Sequence, residues 1–199
     1  IHAGRAMLAG IPGTAAGGGR GGQVPPHAVA RPGERSESMR DPTERPNILL
    51  INCDDLGWGD PGCYGHPLHR TPHLDRLAAE GTRFTSFCQA ASVCSPSRGA
   101  MLTGCHPCRI GFDTFDGRGV LFPGQGVGLD PREETIAGVL RRAGYATRIV
   151  GKWHCGDQPA FLPTRHGFDS YYGLPYSNDM GIQRPGSTWP SLPLMRDEQ

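Results

Sequence analysis

An α/β fold built on a largely parallel sheet flanked by helices is what the sequence predicts, and three observations carry it. A continuous apolar run with β-branched ends, Ile48–Ile51, lies between Pro46 and Gly57, as suits a strand buried on both faces. Two amphipathic stretches, "TPHLDRLAAEG" and "REETIAGVLRRAGY", are each followed by a strand-like stretch, and strands alternating with helices mark such folds. Charged residues follow two of the strands directly, where parallel sheets gather their ligands.

The elements follow in order. Residues 1–45 are rich in Gly, Pro, Ala and Arg without any apolar period; such a segment cannot bury enough surface to fold alone and is expected to be disordered. Within it, "AMLAGIPG" is too short and too glycine-broken for the apolar region of a signal peptide. Met39 is a candidate start, which would make 1–38 upstream translation. The chain opens on Ile1 and stops at "LMRDEQ", so both ends read as cut. In the first amphipathic stretch Thr71 can cap, Pro72 fits the first turn and Gly81 can stop the helix. Leu74, Leu77 and Ala78 share one face. "TRFTSFCQA" (82–90) reads as a second strand, with only approximate alternation at Phe84 and Phe87. After a glycine-rich loop at 116–128, Ile136, Val139, Leu140 and Ala143 follow helical spacing. Gly144 ends that helix, and "YATRIVGKW" returns as a strand.

Composition excludes several classes. The formal charge is +1 over 199 residues, which gives no electrostatic case for nucleic acid or an acidic membrane surface. No apolar run approaches the roughly 20 residues of a membrane span. Seven cysteines, an odd number, leave at least one free unless it pairs between chains. Cys105 and Cys108 form a C-x-x-C around His106, but no second pair completes a tetrahedral zinc set; free thiols or a local redox pair are expected there.

Three stretches carry chemistry. In "CDDLGWGD", Asp54 and Asp55 repel each other unless a cation lies between them or one is protonated. A turn would have to bring both to one ion, and hard oxygen donors suit Ca²⁺ or Mg²⁺; a bare Asp-Asp also serves as a helix cap or a solvated turn. In "ASVCSPSRGAMLTG", Pro96 suits the first turn of a helix, with Met101 and Leu102 packed inward. Cys94 then sits at the helix N-terminus, which favours an anion, and Arg98 adds a fixed charge with fork geometry. Cys94 reads equally as a small buried hydrophobe. In "GKWHCGD", Lys152, the sole lysine beside nineteen arginines, offers a point charge for an oxyanion. His154 offers a group that titrates near neutral pH, and two residues apart on a strand the pair would face one side.

These stretches resemble a known family. "SVCSPSRGAMLTG" and "GYATRIVGKWH" look like the two signature stretches of the sulfatases. "RPNILLINCDDLGWGDPGCYG" and "FLPTRHGFDSYYGLPYSNDMG" are similar to flanking segments, the latter nearest the arylsulfatase A-like branch. The likeness covers about residues 45–183, in the correct order. It implies an alkaline-phosphatase-like α/β fold, of which 46–199 would be the N-terminal part of the catalytic domain. It implies that Cys94, read within C-x-P-x-R by a formylglycine-generating enzyme, is oxidised to formylglycine. Asp54 and Asp55, with the modified Cys94, would hold a divalent ion, usually Ca²⁺, with Mg²⁺ as the alternative. Arg98 would orient the aldehyde hydrate, Lys152 would bind sulfate oxygens, and His154 would assist breakdown of the hydrate.

The chemistry implied is cleavage of a sulfate ester on a small molecule or glycan. One hydrate hydroxyl attacks sulfur; the second then loses its proton, and the centre collapses to aldehyde and sulfate. A serine or thiol sulfated at one heteroatom has no such exit. Family members are longer than this chain, and their later segments supply an Asp and an Asn to the metal, with another Lys and a His; the chain alone is therefore expected to be inactive. Cys53 and Cys155 stand where the family is usually apolar, and "GCHPCRIG" replaces an arginine-rich stretch. A phosphate- or phosphonate-ester hydrolase of the same superfamily is the nearest competitor, and a non-catalytic anion-binding remnant the next. A tyrosine-phosphatase-type site needs five residues between Cys and Arg, and here there are three.

Overall fold

A computed structural model describes the backbone of residues 6–10 and residues 45–115, 117–182 and 185–199 in full. Most of the leading segment expected to be disordered, and Met39 with it, lies outside the described residues. The chain divides into a smaller unit, residues 7–51, and a larger one, residues 1–6 with 52–199.

In the smaller unit, strand β1 (Ala6–Gly10) pairs with β2 (Ile48–Asn52) as a two-stranded sheet. The predicted strand is therefore present, but its expected burial on both faces is not: Ile48, Leu49 and Ile51 are 45%, 52% and 53% exposed. Its pairing partner among the described residues is β1 alone.

The larger unit opens with α1 (Pro72–Glu80), which has proline at its start and is closed by the Gly81 N–H on the Leu77 carbonyl. Thr71 does not cap through its side chain. Its Oγ1 donates to Asp75 Oδ1 (2.8 Å) and accepts from Gly62 N–H (2.7 Å), fastening the preceding loop to the helix. Residues 82–90 form no strand, contrary to expectation. Phe84 and Phe87 are both exposed and lean on one another at 6.1 Å, so the approximate alternation buries neither ring.

Helix α2 (Cys94–Thr103) ends in left-handed Gly104, whose N–H bonds the Ala100 carbonyl. Leu102 is buried and Met101 packs against the core, as expected. Gly99 lets the helix press close to the core: a Cβ there would lie 2.6 Å from Phe112 Cδ2 and 2.9 Å from Ile110 Cδ1. Helix α3 (Ile136–Arg142) is shorter than its apolar pattern and starts at Thr135, whose Oγ1 accepts from Gly138 N–H (3.0 Å) and donates to the His166 carbonyl (2.6 Å). It turns Ala137 inward and leaves Val139 exposed.

Strands β3 (Arg148–Lys152), β4 (Ser170–Leu174) and β5 (Met195–Arg196) form a mixed sheet in that order. β3 and β4 run parallel with Arg148 opposite Ser170 and Lys152 opposite Leu174; β5 joins antiparallel. The crossover that a parallel pair requires spans 153–169 and is built from two short 3₁₀ turns. Trp153 and Tyr171 join Leu102, Phe112, Leu121 and Leu129 in the core. Trp153 donates its indole N–H to the Phe161 carbonyl at 2.8 Å. Among the described residues no helix is long and apolar enough to cross a membrane.

Candidate active site

The site assembles where β3 ends. Lys152, its last residue, donates from Nζ to Asp54 Oδ2 at 2.6 Å and to Ser177 Oγ at 3.1 Å. Parallel pairing brings the end of β4 beside that of β3, so Ser177, just past β4, arrives next to Lys152. From α2, Arg98 donates through Nη2 to Asp54 Oδ1 (3.2 Å) and through Nη1 to the Lys152 main-chain carbonyl (2.6 Å). One carboxylate thus receives two cations, one on each oxygen.

Asp54 and Asp55 occupy a turn, with Asp55 in the left-handed region at φ 53°. Both line a cavity of about 570 Å³, together with Cys94, Arg98, Lys152 and Ser177. Partial burial pushes the Asp54 carboxyl up, but Lys152 and Arg98 outweigh it and hold the group below its ordinary value. The formal charges of Asp54, Asp55, Arg98 and Lys152 sum to zero, and Asp179, also on the cavity wall, leaves the lining at −1 before any ion enters. Ammonium has three N–H donors and Lys152 commits two, so the third is available to a ligand. Arg98 is 8% exposed, and its Nε has no partner among the described residues.

Cys94 opens α2, half-buried and unpaired. It sits at the positive end of the helix dipole, and α2 is anchored beneath it. Fully buried Ser95 accepts the Leu121 N–H on its Oγ at 3.1 Å, and Ser97 Oγ donates to Gln89 Oε1 at 3.1 Å. Burial pushes the fully buried Cys155 thiol up to about 12. All seven cysteines are free thiols, including Cys105 and Cys108.

His154 departs from the expected arrangement. β3 ends at Lys152, and His154 takes a left-handed φ of 58°, so strand alternation no longer sets its direction. The ring is fully buried and is not among the residues lining the cavity. Its Nε2 lies 2.9 Å from the Leu121 carbonyl; a carbonyl only accepts, so the proton is on Nε2 and the lone pair on Nδ1. Nδ1 has no partner among the described residues. Burial pulls the group down to about 4 despite that hydrogen bond, and the imidazole is neutral at pH 7.

Five of the six residues singled out from sequence therefore meet at one cavity, and the sixth, His154, is buried outside its lining. Ser177 was not singled out. The signal for it is positional: it follows a strand parallel to one that ends in a charged residue, where ligands gather. The donors of Asp54 and Asp55 are hard oxygens, which fit Ca²⁺ or Mg²⁺, and each Asp54 oxygen keeps a lone pair beyond its bond to a cation.

Comparisons with known proteins agree in one direction. The family model described as Sulfatase matches residues 46–197. Human arylsulfatase A is 53% identical over 138 residues, which are 68% of this chain and 26% of that protein. N-acetylgalactosamine-6-sulfatase of Sus scrofa is 48% identical over 155 residues, 76% of this chain and 29% of that protein. The solved structure of Ps i-CgsB in complex with k-i-k-neocarrahexaose matches with a TM-score of 0.57 and 37% identity, covering 62% of this chain and 27% of its own. The chain thus spans little more than a quarter of the length of the relatives it matches.

Proposed function

The chain belongs to the sulfatase family, and from that premise we propose that it carries the nucleophile and the sulfate-binding face of a sulfuric-ester hydrolase. The observation that carries the proposal is the meeting of Cys94, Arg98, Lys152 and the Asp54–Asp55 turn at one cavity.

Oxidised to formylglycine by a modifying enzyme, Cys94 would supply an aldehyde hydrate with one hydroxyl to attack sulfur and another through which sulfate leaves. A divalent cation held by Asp54 and Asp55 would supply Lewis-acid charge beside that group. The chain's own residues do the rest. The α2 N-terminus offers backbone N–H groups to an anion. Arg98, clamped on the Lys152 carbonyl and on Asp54, presents a fixed positive edge beside Cys94. Lys152 directs its uncommitted N–H at a sulfate oxygen while Asp54 and Ser177 hold the ammonium in place. His154 stays neutral and keeps an Nδ1 lone pair able to accept a proton.

A cation entering at Asp54 competes with Lys152 for Oδ2, which would raise the charge available to the substrate. A divalent ion would take the lining from −1 to +1, a sign that favours entry of a monoanionic sulfate ester. The substrate class is a sulfate ester on an aromatic or sugar alcohol, as the relatives' names suggest. The test is sulfate release from an aryl sulfate by the longer protein that carries the rest of the domain. Cys94→Ala should abolish it, and turnover retained by that variant would overturn the nucleophile assignment.

A further inference from the structure

Between the paired aspartates and α1 lies a second group of ligand-type side chains. Asp60, His66 and His69 each offer one ligand atom, and these atoms lie within 4.8 Å of one another. None of the three lines the cavity. The two imidazoles stack face to face, with centroids 3.7 Å apart and planes 7° from parallel. Imidazole lone pairs lie in the ring planes, so one ring must tilt off the stack for both to reach one ion.

Hydrogen bonds place the lone pairs. His69 Nδ1 faces the Asp60 main-chain carbonyl at 3.3 Å, so Nδ1 carries the proton and Nε2 is the ligand atom. His66 Nδ1 accepts from the backbone N–H groups of His69 (2.7 Å) and Leu68 (3.1 Å), which puts its lone pair on Nδ1. Asp60 is fixed by the Gly57 N–H on Oδ2 at 2.6 Å, leaving its other oxygen uncommitted by that bond.

We propose that Asp60, His66 and His69 form a second metal site, which takes a borderline divalent ion, zinc, with water completing the shell. Two imidazoles and one carboxylate match zinc's preferences, whereas the oxygen-only pair Asp54–Asp55 suits a harder ion. The two sites therefore sort different cations. Zinc–nitrogen bonds of about 2.0–2.1 Å require the ligand atoms to draw closer than the present spacing allows. His69 is exposed, so its ring can swing off the His66 stack towards Asp60, whose main-chain carbonyl it already faces. His66 gives up two bonds to exposed N–H groups, which water replaces at small cost. The bound ion would tie Asp60 to the chain nine residues later and brace the loop between Asp55 and α1. The inference is independent of the hydrolase reading.

The experiment is calorimetric titration of this chain with Zn²⁺, comparing the parent with His69→Ala and with the double variant Asp54→Asn, Asp55→Asn. Thiol binding is common to all three, so the site appears as a difference. One zinc equivalent should be lost, or weakened by about tenfold or more, in His69→Ala and retained in the double variant. Cobalt should show ligand-field bands that the same substitution removes, without change in any thiolate charge-transfer band. Unchanged zinc stoichiometry and affinity in His69→Ala would overturn the proposal. So would an equivalent lost from the double variant alone, which would place the ion in the cavity.

Discussion

Lys152 and Asp54, 98 positions apart in sequence, are joined Nζ to Oδ2 at 2.6 Å. The link ties the end of β3 to the turn that carries the paired carboxylates. It also leaves the ammonium one hydrogen-bond donor short of saturation, since Ser177 takes another.

Removing that donor should slow the proposed chemistry without dismantling the fold. In the longer protein, Lys152→Met is expected to lower kcat for an aryl sulfate by about 10²–10³-fold, the usual loss for one oxyanion donor. Lys152→Arg should fail comparably, because a planar fork replaces a point charge in a pocket already sharing Arg98. Steady-state sulfate release measures both, and kcat within a few-fold of the parent would contradict the assigned role.

Modification of Cys94 should precede folding. Ser95 is fully buried, Pro96 is buried and Arg98 is 8% exposed, so an enzyme reading C-x-P-x-R finds its recognition side chains inside the structure. A formylglycine-generating enzyme should convert the Cys94 peptide and the unfolded chain, but not the folded one. Mass spectrometry of that peptide distinguishes the cases, because conversion replaces sulfur by oxygen and removes two hydrogens. Equal conversion of folded and unfolded chain would defeat the prediction.

Gly99→Ala tests the contact between α2 and the core. The added methyl meets the Phe112 ring at 2.6 Å, and overpacking of this kind costs about 1–3 kcal/mol. The gain in helix propensity returns at most about 1 kcal/mol. The expected result is a net loss of stability, read as a lower Tm by circular dichroism; a raised Tm would mean that the ring moves aside freely.

Acid should destabilise the fold through His166. The ring is 3% exposed, neither nitrogen has a partner among the described residues, and burial pulls it down to about 4 against the opposing pull of Asp130. Unfolded, it titrates near its ordinary value of about 6.5. The unfolded chain therefore takes up the proton first. The stability is present in full above about pH 6.5 and is lost progressively as pH falls towards 4, in total about 3 kcal/mol. Denaturant midpoints between pH 7.5 and 4.5 should fall less steeply in His166→Phe than in the parent. Parallel curves would show that the ring does not carry the effect.

Local signals carried much of this structure. Pro72 and Gly81 bracket α1 as their chemistry demands, and the strand ending in Lys152 lies where its apolar pattern puts it. The meeting of Cys94, Arg98 and the aspartates follows from the rule that ligands gather at strand ends. What escaped is decided by tertiary context. A positive φ at His154 cancels strand alternation, and no pattern in "GKWHCGD" announces it. Phe84 and Phe87 have strand-like spacing, yet among the described residues no strand takes up the backbone of 82–90. Ser177 acquires its place only because β4 pairs parallel to β3, which is a property of two distant segments and of neither alone.

Arginine supplies every other basic side-chain charge of this chain, so Lys152 is its sole lysine amine. With the α-amino terminus told apart by peptide mapping, an amine-reactive ester becomes a reporter of one address. Its rate of attachment would rise as Asp54 releases the ammonium and fall as an anion covers it, turning a scarcity of composition into a gauge of cavity occupancy.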